Sequence, residues 1–356
     1  MLGELRGDLV SADGVVLWRE LLDEATERLT ASGMDSAGVE ARRIVTAAAG
    51  CDDTAWAAVL SRPATRRGMA QFDSMLARRA AGEPLQYVLG SWGFRTLDLF
   101  VDRRVLIPRP ETEVVAGYAL AELRRRAEEL MASRGAALAA TDDGFAGSGG
   151  RGAVPPRSST HARVVAARPA APPSPAAASE DPSMLLAADL GCGSGAIGLS
   201  MAAERTDTEV VCTDVSGEAL AVASANLAGL GRPAQRVRLA EGSWYEALPP
   251  ELRGRFDVIV SNPPYIADGS DSLPAEIADH EPPVALYSGS TGLDATEVIV
   301  AGAPVWLAPG GGLVLELSDG TDAEVRDLAH SAGLVDIAVH QDLAGSERVL
   351  IARRPT

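Results

Sequence analysis

The stretch most suited to chemistry is Ser261-Asn262-Pro263-Pro264-Tyr265, which follows directly on the apolar run Phe256-Asp257-Val258-Ile259-Val260. A short β-branched run ending in two prolines reads as a buried strand that stops abruptly. Proline fixes φ and has no N–H, so Pro263 and Pro264 cannot continue a sheet ladder. A residue before proline is also pushed out of the α region, which holds the carbonyls of Asn262 and Pro263 in a stiff, extended path. The outcome is a rim of acceptors, the Asn262 side-chain oxygen and a backbone C=O, with the Tyr265 ring alongside. Such a rim suits a planar –NH2 group, whose two hydrogens need two acceptors in one plane. Asn-Pro is also a common turn signal, so by itself the stretch reads equally as a plain strand-to-loop turn.

A second constellation lies upstream. Ala187-Ala188-Asp189-Leu190 ends a strand, and Gly191-Cys192-Gly193-Ser194-Gly195-Ala196 leads into a helix. Glycines here allow positive φ and let a ligand approach the backbone closely. The helix N-terminus beyond offers N–H groups to an anion or carboxylate. Asp214 follows Gly191 by about 20 residues, at the end of the next strand, where nucleotide-binding α/β folds accept hydrogen bonds from ribose hydroxyls. The turn also satisfies the loose dinucleotide fingerprint, so it does not separate NAD from other adenosine ligands. The acceptor rim does: hydride transfer has no evident use for it, whereas methylation of an amino group has. Trp244, in Gly242-Ser243-Trp244-Tyr245, is placed either to cover an adenine ring or to pack in a core.

The elements that must position these residues alternate. Strands are expected at Leu185–Leu190, Glu209–Thr213, Val237–Ala240, Phe256–Ser261, Leu313–Leu317, Val335–His340 and Arg348–Ala352. Helices are expected between them at Ala196–Glu204, Glu218–Leu230, Thr296–Leu307 and Ala323–Ala332. This order predicts an α/β fold, a mostly parallel, doubly wound sheet covered on both faces, with the rim at the carboxyl end of its fourth strand. Before it, Leu17, Leu21, Ala25 and Leu29 recur at helical spacing, and similar stretches follow from Ala41 and around Gln71 to Ala80. They predict a small N-terminal helical domain over residues 1–92 that carries no chemistry of its own and serves docking. Residues 93–108 then form a strand or hairpin connector, with a strand at Phe94–Val101, and 109–356 the α/β domain. Pro110 followed by acids starts a helix expected to run to about Met131. From about 133 to 182 an Ala/Pro/Gly/Ser-rich insertion bearing Arg151, Arg157, Arg163 and Arg168 cannot bury enough apolar surface to order itself, and is expected to be disordered.

Composition narrows the partners. The chain has 32 Lys+Arg against 49 Asp+Glu, a net charge of −17, which argues against direct nucleic-acid binding through phosphate neutralisation. Cys51, Cys192 and Cys212 form neither a metal pattern nor a disulfide framework, as expected in a reducing cytoplasm. Acids near Met1 replace the apolar core of a signal peptide. Val298 to Leu315 is uncharged, but Pro304, Pro309 and Gly310-Gly311-Gly312 interrupt it, so no membrane span is expected.

Asp189-Leu190-Gly191-Cys192-Gly193-Ser194-Gly195 with Asn262-Pro263-Pro264-Tyr265 resembles a class I S-adenosylmethionine-dependent methyltransferase. Four upstream and downstream blocks narrow the resemblance: Glu83-Pro84-Leu85-Gln86-Tyr87, Leu106-Ile107-Pro108-Arg109-Pro110-Glu111-Thr112-Glu113, Asp342-Leu343-Ala344-Gly345 and Arg348-Val349. Together they are similar to the HemK/PrmC family, the peptide chain release factor N5-glutamine methyltransferases. The resemblance covers nearly all the chain except the insertion. It implies that Gly191, Cys192, Gly193, Ser194, Gly195, Asp214, Trp244 and Asn262 bind S-adenosylmethionine. It further implies that Asn262, Pro263, Pro264 and Tyr265 receive the glutamine of a release factor's Gly-Gly-Gln loop, with Asn262, Pro263 and Tyr265 catalytic and the helical domain docking that protein. Three positions depart from the family's pattern: Ser243 where Asp is usual, His280 where Tyr is usual, and the insertion.

On this reading Asn262 and the Pro263 carbonyl accept the two amide hydrogens and orient the nitrogen, and Tyr265 packs on the glutamine side chain. No His, Cys or Lys stands as an obvious general base. The alternatives are methylation of adenine N6 or of a ribosomal-protein glutamine by the same rim, and a non-catalytic binding protein that keeps the fold.

Overall fold

The computed structural model describes residues 15–52, 54–142, 183–270 and 273–356. The expectations for the first residues of the chain and for the four insertion arginines lie outside the described residues.

Five helices come first: α1 (Trp18–Ala31), α2 (Ala37–Ala49), α3 (Trp56–Val59), α4 (Arg66–Ala80) and α5 (Leu85–Leu89). Their ends follow from local chemistry. The Glu20 carboxylate accepts the Leu17 N–H at 2.9 Å, the Thr65 hydroxyl accepts the Gly68 N–H at 3.0 Å, and α2 stops at Gly50 in a left-handed conformation. Trp18, Leu21, Ala25 and Leu29 line the inner face of α1 and pack with Ile44, Val45, Phe72 and Leu76 in a core separate from the rest.

A hairpin follows, β1 (Ser91–Phe94) and β2 (Leu97–Phe100), antiparallel. The single strand expected over Phe94–Val101 is therefore split at Arg95, which turns with φ 52°. Distant groups hold that turn: Arg95 donates its N–H to Glu113 at 3.1 Å and its guanidinium to Glu204 at 2.6 and 2.8 Å. No local signal announces such partners.

Helix α6 spans Pro110–Asp142, well past Met131. Residues 133–142, assigned above to a disordered insertion, are thus helical. The reason is composition: Ala-Ala-Leu-Ala-Ala has the highest helix propensity, and one Gly135 does not offset it.

The main sheet comprises β3 (Leu185–Leu190), β4 (Thr208–Asp214), β5 (Val237–Glu241), β6 (Phe256–Ser261), β7 (Leu307–Glu316), β8 (Val335–Gln341) and β9 (Glu347–Arg353), in the order β5-β4-β3-β6-β7-β9-β8. Its first five strands in that order run parallel, and β9 joins β7 and β8 antiparallel. Helices α7 (Ala196–Glu204), α8 (Gly217–Gly229), α9 (Ala275–Ala278), α10 (Asp294–Trp306) and α11 (Asp322–Ser331) complete the fold. Alternate strand residues feed two cores. Leu185, Ala187, Val258, Val260 and Val314 face α6, α7 and α8, whereas Leu186, Ala188, Leu190, Ile259, Leu313 and Leu315 face α10 and α11. The order reverses between β3 and β6, and a ligand crevice is expected outside the carboxyl ends of strands at such a switch point. Among the described residues no helix is long and apolar enough to cross a membrane.

Candidate active site

A cavity of about 390 Å³ opens at that switch point. Gly191, Cys192, Gly193, Ser194, Asp214, Ser243, Trp244, Asn262 and Pro264 line it, so the glycine turn, the strand-end acid and the acceptor rim meet in one space. Three of the expected residues do not line it. Gly195 caps α7 at φ 83° and faces Leu199, where a Cβ would come within 2.9 Å, so its glycine serves the turn and the packing behind it. Pro263 is buried and Tyr265 half-buried.

The turn is stitched to the neighbouring strand. Cys192 donates its N–H to Thr213 at 2.8 Å, and Gly193 donates to Asp214 Oδ2 at 2.9 Å, while Asp214 Oδ1 accepts from Ser216 N–H at 2.9 Å. Burial pushes the Asp214 carboxyl above its usual range, against the pull of these backbone donors. Trp244 adopts φ 45°, and its ring stands against the Gly191 backbone, where a Cβ would lie 3.1 Å from the ring.

Three further residues matter that the motif reading did not assign. Asp189, at the end of β3, is buried and accepts the Gly198 N–H at 2.8 Å through Oδ2, leaving Oδ1 buried without a hydrogen-bond partner among the described residues. Burial pushes its carboxyl up to about 7. A buried orphan carboxylate oxygen in a cavity lining is a ready partner for a ligand's ammonium group. Thr112, in the first turn of α6, accepts the Asn262 Nδ2–H at 3.1 Å and donates its hydroxyl to Glu316 at 2.8 Å. Glu316 ends β7, is buried, and has its carboxyl pushed up to about 7 by that burial. The sequence signals were present: Thr112 lies within Pro110-Glu111-Thr112-Glu113, and Glu316 is an acid at the end of an apolar strand.

The segment after the rim folds back over the cavity. Glu281 accepts the Ile107 N–H at 3.2 Å and pairs with Arg109, which places Pro282, Val284, Ala285 and Tyr287 in the lining. His280 is hydrogen-bonded to the Glu276 carbonyl at 3.1 Å and stands outside the lining. Among the described residues Cys192 is the thiol that lines the cavity, and its hydrogen bond with Cys212, then burial, raise it well above the usual thiol range. Burial likewise pushes Tyr265 up to about 12. Neither side chain is a base at neutral pH.

The model of the PrmC N-terminal domain matches residues 20–90, and that of the methyltransferase small domain matches residues 181–279. The release factor glutamine methyltransferase of Xylella fastidiosa strain Temecula1 is 36% identical over 336 residues, 94% of this chain and 97% of its own length. Those of Cereibacter sphaeroides and Geobacter sulfurreducens are 34% and 32% identical, each over 94% of this chain and 98% and 96% of their own. With its cavity at the methyltransferase switch point and this likeness running along both helical and sheet regions, the chain belongs to the release factor glutamine methyltransferase family.

Proposed function

We propose that this protein transfers a methyl group from S-adenosylmethionine to the side-chain amide nitrogen of the glutamine in the Gly-Gly-Gln loop of peptide chain release factors, in the cytoplasm. Family membership supports the reaction, and the acceptor edge of Asn262 at the cavity is the observation that carries the substrate.

The cavity fits the methyl donor. Asp189 Oδ1 awaits a cationic hydrogen-bond donor, which the ammonium of the methionine part is; Asp214 suits the ribose hydroxyls, and Trp244 with Ser243 the adenine. When bound, the donor supplies an electrophilic sulfonium methyl group. The serine at 243 offers a hydroxyl in place of a carboxylate at the adenine.

The protein's own part is to position and polarise a poor nucleophile. An amide nitrogen has its lone pair delocalised into the carbonyl. Asn262 Oδ1, at the cavity, accepts an amide hydrogen, aims the nitrogen, and stabilises the positive charge that develops on it, while Pro263 stands outside the lining. Pro263 and Pro264 make this edge stiff, so little reorganisation is needed during the reaction. With Cys192 and Tyr265 protonated, the amide proton leaves to water after transfer. The helical bundle docks the release factor.

Labelled S-adenosylmethionine incubated in parallel with purified release factor, ribosomal protein and nucleic acid tests the reading. Label on the Gly-Gly-Gln glutamine is expected; label on an adenine or on a ribosomal protein alone would overturn it.

A further inference from the structure

The side chains behind Asn262 deepen the proposed amide methylation, and the inference rests on that reading. We propose that Thr112 and Glu316 are positioning residues that fix which edge of the Asn262 amide faces the substrate, through a Glu316–Thr112–Asn262 hydrogen-bond relay.

The argument starts from donor counting. A hydroxyl has one hydrogen, and a carboxylate only accepts. Thr112 gives its hydrogen to Glu316 Oε2 at 2.8 Å, so Oγ1 has only a lone pair left for Asn262. Only the –NH2 edge of Asn262 can meet a lone pair, and it does so at 3.1 Å. Oδ1 is thereby committed to the opposite side, as the acceptor that a substrate amide requires. Without the relay, the two edges of a carboxamide are nearly the same in shape, and rotating it by half a turn would present donors to a donor.

The fold holds all three parts rigidly. β6 and β7 pair with Ser261 opposite Leu315, which brings the next residues, Asn262 and Glu316, side by side at the strand ends. Thr112 reaches both from the first turn of α6. Thr112 and Glu316 are 4% and 2% exposed, so water does not compete for their hydrogen bonds. The relay therefore has no slack.

It also has a polarity that acid reverses. A protonated Glu316 donates to Thr112, the hydroxyl hydrogen turns to Asn262, and the amide is drawn round to offer Oδ1 inward. The charged groups acting on Glu316 are Arg348 of β9 and Arg109, which favour the ionised form, and Glu111 of α6, which opposes it, while the half-buried Tyr265 phenol lies close by. Burial outweighs them and puts the change near pH 7. Turnover at saturating methyl donor should accordingly rise with pH through this region.

The experiment compares kcat, both KM values and thermal melting for the wild type, Thr112→Val, Thr112→Ser and Glu316→Gln on purified release factor. Thr112→Val should lower kcat about tenfold or more, the scale of a lost preorganised contact, with KM for the donor nearly unchanged. Thr112→Ser keeps the hydroxyl and should restore kcat to within about twofold. Glu316→Gln should flatten the acid limb of the kcat profile, because its amide holds the hydroxyl equally well at every pH. Unchanged kcat in Thr112→Val, a serine variant as impaired as the valine one, or an acid limb surviving in Glu316→Gln would each overturn the relay. A wild type that leaves release factor unmethylated would instead overturn the functional reading on which it rests.

Discussion

On the side of the cavity proposed for the cofactor the protein works with residues of one local unit. Gly191, Gly193, Asp189 and Asp214 belong to one strand–helix–strand unit, and the bond from Gly193 N–H to Asp214 spans 21 positions. On the side proposed for the substrate it works with side chains brought from afar. Asn262 and Thr112 are 150 positions apart, and Thr112 and Glu316 are 204 apart. The first side is assembled as soon as one local unit folds. The second exists only when α6, β6 and β7 have all docked in register. Damage to the first should show in donor affinity, and damage to the second in turnover.

The largest effect should come from the substrate side. Asn262→Ala should leave donor binding measurable by calorimetry while lowering kcat by roughly 10²–10³, the scale seen for removal of one preorganised polar group. Unchanged turnover would break the comparison. Next, Gly191→Ala places a Cβ at φ 71° and 3.1 Å from the Trp244 ring. Left-handed strain of about 1–2 kcal/mol should appear in donor affinity, roughly a tenfold loss, with kcat at saturation largely retained.

A subtler test uses pH. The folded carboxyl of Asp189 is raised to about 7, so the native state holds a proton there that the unfolded chain releases at lower pH. Stability from this group is therefore highest in acid and falls as pH rises from the ordinary Asp range to about 7. Asp189→Asn should flatten that fall in urea unfolding at pH 5 and 8 and weaken donor binding, with no change in the kcat profile assigned to Glu316. The smallest effect is expected at the link between bundle and sheet domain, where Arg79 of α4 donates to Glu276 of α9 at 2.9 Å. Glu276 has a half-exposed side chain, so Glu276→Ala should cost at most about 1 kcal/mol in thermal unfolding and leave donor affinity untouched.

The same division explains what could be read beforehand. The strands β3 and β6 stand where their apolar runs and terminating residues put them, Leu185–Leu190 and Phe256–Ser261. The glycine turn and Asp214 came from one local unit and were legible together. The hairpin turn at Arg95 was not, because Glu113 and Glu204 hold it from other elements. The packing of Gly195 against Leu199 was not legible, because the motif does not say which side of the turn each glycine faces. The helix α6 overran Met131 because alanine-rich sequence continues a helix as readily as it fills a linker.

By itself the sequence determined the alternation of strands and helices, the turn that a nucleoside ligand needs, and the stiff Asn-Pro-Pro edge. These are short-range matters, set by φ restrictions, hydrogen-bond inventory and apolar periodicity. The tertiary structure alone decided that Thr112 and Glu316 stand behind Asn262, and that Asp189, in the cavity lining, keeps an oxygen unmet among the described residues. Sheet register and helix docking set those neighbours, since they join residues whose separation along the chain carries no local energy.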